Sequence, residues 1–116
     1  MVFPAVFAIV IGVAMIGQWT ASYLARQIPE LKTEPIRIGF HLVGEMVTAV
    51  TLIAAGIALL AGAPWAMTVF LLGMGMLFYT AIVSPGYFAQ QGQWIWVLIF
   101  GVMIVVGVFA VLAVLG

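Results

Sequence analysis

Four long apolar segments, separated by short polar or Gly/Pro stretches, constrain the fold of this chain more than any other feature. They cover about residues 3–24, 38–61, 64–83 and 94–115. Each exceeds the roughly 18 residues that distinguish a membrane-spanning helix from a buried helix of a soluble protein. Backbone polar groups in hydrocarbon must bond within the chain, so such segments become helices. We therefore predict an all-α fold, an integral membrane four-helix transmembrane bundle forming a single domain over residues 1–116.

The composition excludes several classes of protein. Of the 116 residues, 67% are hydrophobic and 5% are charged, so the four helices leave no segment for a soluble domain. The formal net charge is zero, which gives no electrostatic case for nucleic-acid binding. The chain has no cysteine, which excludes disulfides and thiolate metal sites. The first apolar segment lacks a basic start and is longer than a signal-peptide core, so we expect it to be retained as a helix.

The basic residues predict an orientation in the membrane. Arg26, Lys32 and Arg37 are the only Lys or Arg residues, and all three lie in the loop 25–37 between the first and second helices. In a four-helix bundle the loop 84–93 lies on the same side. Because Lys and Arg favour the cytoplasmic face, we expect a multi-pass plasma (inner) membrane protein with both loops cytoplasmic and both termini outside.

Proline and glycine residues predict where the helices begin and end. Pro29 and Pro35 bracket a polar stretch that cannot continue a helix. The run Gly62-Ala63-Pro64 predicts a tight turn, with Pro64 in the first turn of the third helix. The run Ser84-Pro85-Gly86 predicts the end of that helix.

Small residues at four-residue spacing predict close helix contacts. They occur as Ala8 and Gly12 in the first helix and as Ala54, Ala58 and Gly62 in the second. Such spacing lets two helix backbones approach in a membrane. The pattern fits packing within one chain as well as it fits a homodimer.

The only His and the only acid within an apolar segment form a candidate site. His41 and Glu45 are four residues apart and therefore share one face of the second helix, which Thr48 extends. Glu45 lies roughly 10 Å along the helix from Ile38, inside the hydrocarbon. An ionisable group at such a depth usually marks a functional site, because burying it in hydrocarbon is costly.

Other helices carry polar residues to a comparable depth, whereas the other half of the bundle is almost wholly apolar. We predict a polar cup that opens to the cytoplasm above an apolar floor. An alternative is that Glu45 only bonds across the bundle to fix helix packing. The candidate ligand-binding residues are Glu45, His41, Tyr79, Trp19, Gln18, Thr48 and Thr80.

The sequence gives little support for a metal site or for catalysis. One His and one intramembrane carboxyl group fall short of the three or four ligands of a zinc site. Haem ligation by His and Met is weakly supported, because Met is an ordinary filler of packed helices. No phosphate-binding loop, nucleophile elbow or HExxH motif occurs. No catalytic residue can be assigned, and a role other than catalysis is favoured.

Part of the chain resembles a known group of membrane proteins. The stretch from Gly44-Glu45 through the Gly- and Leu-rich run 56–62 into Leu71-Leu72-Gly73-Met74 is similar to the DoxX-like group of small four-helix membrane proteins. The resemblance covers about half of the chain, and only Glu45 matches by position. It implies a link with quinone-coupled sulfur oxidation, as an accessory subunit of a membrane redox complex.

Three functions remain open from the sequence. The first is a binding or accessory protein whose polar cup accepts the head of an amphipathic ligand, a quinone or a lipid. The second is a small proton-coupled transporter that works as a homodimer and uses Glu45. The third is a structural subunit that joins a partner protein in a larger membrane complex.

Overall fold

The computed structural model describes all 116 residues and contains four long helices and one short helix. The four long helices are long and apolar enough to cross a membrane. The predicted all-α bundle is therefore confirmed, and the chain is a multi-pass membrane protein. The helices are α1 (Val2–Leu24), α2 (Glu30–Thr33), α3 (Pro35–Ala61), α4 (Ala66–Gln90) and α5 (Trp94–Leu115).

Each long helix packs beside its neighbour in the sequence, and α1 also contacts α5. Short connections reverse the chain direction each time, so adjacent helices are antiparallel. The long axis of the molecule measures 44 Å, which matches a bilayer of about 40–45 Å with its headgroups. We call the end that holds residues 25–34 and 91–93 the basic end, because all three Lys and Arg residues lie there or in the first turn of α3.

The hydrophobic core fills the half of the bundle away from the basic end. Its largest fully buried side chains are Phe70, Leu52, Met74 and Leu77. Small residues complete this core, whereas most Val and Leu side chains on the outer helix faces are exposed. Such faces are suited to contact with lipid, whose tails are as apolar as the side chains themselves.

The closest helix contact joins α1 to α3, where small residues meet backbone. A Cβ atom on Gly12 would lie 2.7 Å from the carbonyl oxygen of Ala49, and one on Gly56 would lie 2.6 Å from that of Ala5. The spacing predicted on α1 therefore serves packing within the chain. On α3 the contact uses Gly56, whereas Ala54, part of the predicted pattern, is exposed.

Three helices end in the same hydrogen-bonded motif with one left-handed residue. In α3 and α4 this residue is a glycine, Gly62 (φ 70°) and Gly92 (φ 73°). In α1 it is Arg26 (φ 57°), whose N–H donates to the Tyr23 carbonyl while the N–H of Gln27 donates to that of Ser22. This is the Schellman pattern, in which glycine is the usual left-handed residue.

Helix α4 extends further than the sequence predicted. It continues through Pro85 to Gln90, so the expected loop 84–93 shrinks to the turn 91–93. Proline lacks an N–H group and leaves the Ala81 carbonyl without its usual helical donor. Membrane helices tolerate such a gap, because neighbouring hydroxyl groups and local adjustments satisfy the freed backbone group.

The other predicted boundaries also shift. The expected loop 25–37 contains α2 and ends at Glu34, because Pro35 occupies the first position of α3, where its missing N–H costs little. Helix α4 begins at Ala66, so Pro64 precedes it and does not lie in its first turn.

Candidate functional site

A groove between α3 and α4 contains most of the polar side chains inside the bundle. Its volume is about 820 Å³, and only these two helices line it. Several lining side chains are largely exposed, so the groove opens on the outer surface of the helix pair. The α3–α4 groove is lined by Phe40, His41, Gly44, Glu45, Val47, Thr48, Leu71, Leu72, Gly75, Met76, Tyr79, Thr80 and Val83.

A hydrogen bond between the two helices lies at the centre of the groove. The hydroxyl of Thr80 donates to Oε1 of Glu45, and both residues are buried. Glu45 lies ten residues after the start of α3, and Thr80 lies ten residues before the end of α4. Because the helices are antiparallel, both side chains lie about 15 Å from the basic end. The Ser84 hydroxyl lies 3.0 Å from that of Thr80 and continues the chain of hydroxyls toward that end.

His41 lies between Glu45 and the basic end along α3. Its Nε2 atom lies 3.6 Å from Oε1 of Glu45. The His41 side chain is 42% exposed, whereas that of Glu45 is 9% exposed. The Trp19 ring from α1 contacts His41 edge to face, with the ring centroids 5.6 Å apart. Trp19 therefore packs against His41 from outside the groove.

Two further polar residues line the groove. The Thr48 hydroxyl donates to the Gly44 carbonyl at 2.8 Å, a bond within α3. Tyr79 is 71% exposed and makes no hydrogen bond within the chain, so its ring forms part of the groove rim. Every buried side-chain nitrogen or oxygen has a partner, so the site is satisfied without a ligand.

One protein-family model matches almost the whole chain. The model of a domain of unknown function, DUF8058, matches residues 2–116. The chain belongs to the DUF8058 family. No curated protein and no solved structure matches it. The family description assigns no activity.

The structure brings together five of the seven predicted site residues in the α3–α4 groove. Glu45, His41, Thr48, Tyr79 and Thr80 line it, and Trp19 contacts it through His41. Gln18 does not line the groove, and its side-chain amide donates to the Ser22 hydroxyl at 3.2 Å. No polar side chain of α1 lines the groove, and Trp19 is the one predicted residue of α1 that contacts a lining residue.

The residues that shape the α4 wall of the groove were not predicted from the sequence. Gly75 lies one helical turn before Tyr79, and Leu72 and Met76 extend the same face. The spacing of three or four residues from Tyr79 is the signal that would have found them. On α3, Phe40 lies beside His41 at the rim and is 75% exposed. No group of three or more His, Asp or Glu side chains could hold a metal ion.

Proposed function

We propose that this DUF8058 chain binds an amphipathic membrane ligand, a quinone or a lipid, in the α3–α4 groove. The observation that carries the proposal is the buried Glu45 carboxyl group in the wall of a groove that opens on the outer surface of the α3–α4 pair. A packing role alone gives little stabilisation for burying such a group, because interhelical polar contacts in membranes are worth about 0.6 kcal/mol on average.

The distribution of polarity along the groove supports an amphipathic ligand. His41, Glu45 and Thr80 lie toward the basic end, whereas Leu71 and Leu72 lie toward the other end. A ligand head would bond at Glu45 while its tail follows the apolar part into the lipid. The volume of about 820 Å³ is within the roughly 300–1,000 Å³ of small-molecule sites.

The packing beyond the groove favours binding over proton-coupled transport. Glu45, Thr48 and Thr80 are the only buried polar side chains. Past Thr48, the interior is filled by the core around Leu52 and Phe70, which are fully buried. A transport path needs polar groups or water on both sides of its site, and charged residues in membranes mark such paths.

The setting of the protein is part of the same proposal. The basic end would face the cytoplasm of a plasma membrane, because its loops carry the Lys and Arg residues. The resemblance to DoxX-like proteins supports a place beside a membrane redox complex, with a partner subunit or a second copy at the exposed helix faces.

Native mass spectrometry tests the binding proposal directly. The protein is released from a mild detergent as wild type and as Glu45→Gln, which keeps the shape of the side chain and an acceptor for Thr80. We expect a discrete added mass on the wild type that is lost in the variant. Bare protein in both forms would contradict the proposal and favour a purely structural subunit.

A second pair of variants tests the groove without touching Glu45. A Cβ atom on Gly75 meets no atom within 4 Å, and the same holds for Gly101 on α5. Gly75→Leu therefore adds a side chain that begins in open space at the groove, and Gly101→Leu is a matched change outside it. We expect Gly75→Leu to remove the added mass and Gly101→Leu to keep it. Equal ligand loads in the two variants would place the ligand elsewhere.

A further inference from the structure

Two of the three hydroxyl groups that line the groove, those of Thr48 and Thr80, donate their protons within the protein. The Thr80 hydroxyl donates to Glu45, and the Thr48 hydroxyl donates to the Gly44 carbonyl. Since the Thr80 proton points at Glu45, the bond between Thr80 and Ser84 takes its proton from Ser84. A hydroxyl has one proton but two lone pairs. These side chains therefore offer a ligand lone pairs and no protons.

The charged residues at the groove also favour a ligand that brings its own protons. Glu45 is the only acid that lines the groove, and no Lys or Arg side chain lines it. Arg37, the nearest in sequence, pairs with Glu34 at 2.8 Å, and both are exposed. His41 is the only titratable nitrogen at the site, and its Nε2 atom faces Glu45. As a carboxylate, Glu45 thus has no permanent cation beside it.

We infer that the α3–α4 groove selects amphiphiles whose head is a protonated amine, with Glu45 as the counter-charge. This inference rests on the proposed function. An ammonium group has three donors and no acceptor, so it complements a site of lone pairs. Phe40 and Tyr79 line the groove with exposed rings, and an aromatic face attracts a cation within about 6 Å of its centroid.

Other head groups match the groove less well. A quinone carbonyl accepts hydrogen bonds, and Tyr79 is the only lining hydroxyl whose proton is not already used within the chain. A phosphate or carboxylate head would meet the Glu45 carboxylate with no Lys or Arg to offset the repulsion. An alcohol can donate one proton but carries no charge, and a charge-assisted bond is roughly twice as strong as a neutral one.

The experiment compares amphiphiles that differ in their head group. Wild type and Glu45→Gln are placed in nanodiscs of phosphatidylcholine, and hexadecylamine, hexadecanol, hexadecanoic acid or a long-chain quinone is added at equal mole fraction. The shift in unfolding temperature reports binding to the folded state. Comparing wild type with Glu45→Gln at the same added amphiphile cancels any general effect of that amphiphile on membrane charge. Gly75→Leu and Gly101→Leu provide the blocked groove and its matched control.

We expect the amine to bind the wild type roughly tenfold more tightly than the alcohol, a difference of about 1.4 kcal/mol. The preference should disappear in Glu45→Gln, and Gly75→Leu should respond to neither. A quinone or acid that binds as tightly as the amine would overturn the inference while the proposed function stands. If no amphiphile gives a shift that depends on Glu45 or on Gly75, the proposed function itself fails.

Discussion

Arg26 occupies a position where glycine is the usual residue, so its backbone is strained. Its φ of 57° is close to those of Gly62 and Gly92 at the equivalent positions of α3 and α4. A side chain in the left-handed region costs about 1 kcal/mol or more. We expect Arg26→Gly to stabilise the protein by about 1 kcal/mol, measured by reversible SDS unfolding in mixed micelles followed by tryptophan fluorescence.

Arg26→Ala is the matched control for this prediction. It removes the same charge and leaves the strain in place, because alanine also has a Cβ atom. Equal stability of the glycine and alanine variants would contradict the prediction, because it would show that a Cβ atom at this left-handed position costs nothing.

Thr80 is the residue that satisfies Glu45 across the helix pair. In Thr80→Val the carboxyl group loses this donor, and a buried acceptor left unpaired costs about 1–3 kcal/mol. We expect that loss in the unfolding free energy, whereas Thr80→Ser should stay close to wild type. Thr51→Val is the control, because the Thr51 hydroxyl bonds the Val47 carbonyl of its own helix at 2.7 Å. If both valine variants lose the same amount, the bond to Glu45 has no special weight.

At the scale of elements, the α1–α3 contact depends on glycine. A Cβ atom on Gly56 would lie 2.6 Å from the Ala5 carbonyl oxygen, so α1 must move away to admit a side chain. We expect Gly56→Ala to destabilise the fold by about 1–3 kcal/mol, the usual cost of overpacking. On α1, Gly17→Ala meets open space and should be neutral or slightly stabilising. Similar losses in both would mean that α1 is not held by close backbone contact.

The helices themselves could be predicted because apolar length is decisive in hydrocarbon. Their ends were less predictable, and α4 shows why. Ser84-Pro85-Gly86 ends a helix in water, but in this chain α4 continues to Gln90. In a bilayer the backbone gains more from remaining helical, because an open chain would leave several polar groups unpaired. The local signal of proline is therefore weaker than the constraint from the solvent.

The candidate site could be predicted in part, since residues on one helix face are fixed by spacing. His41, Glu45 and Thr48 share the groove because they follow one another along α3. The partner across the groove was one of several alternatives, because it depends on how α4 is rotated about its axis. Gln18 has comparable depth in α1 but faces Ser22, so depth alone did not place it at the site.

At the scale of the whole molecule, the distribution of charge predicts one orientation in the membrane. All three Lys and Arg residues lie toward one end, and the chain has no cysteine, so any introduced cysteine is unique. Gln91 and Gly116 lie at opposite ends and are exposed. With a membrane-impermeant maleimide on intact cells, we expect Gly116→Cys to be labelled at once and Gln91→Cys only after permeabilisation.

A charge exchange tests whether the basic residues cause this orientation. Replacing Arg26, Lys32 and Arg37 with Gln, together with Ala63→Lys in the turn between α3 and α4, moves the positive charge to the other end. Because topology follows the Lys and Arg bias of short loops, we expect the labelling pattern to reverse or to become mixed. An unchanged pattern would mean that the apolar segments or a partner protein set the orientation. A reversed pattern in the native sequence would place the His41 end of the groove outside the cell.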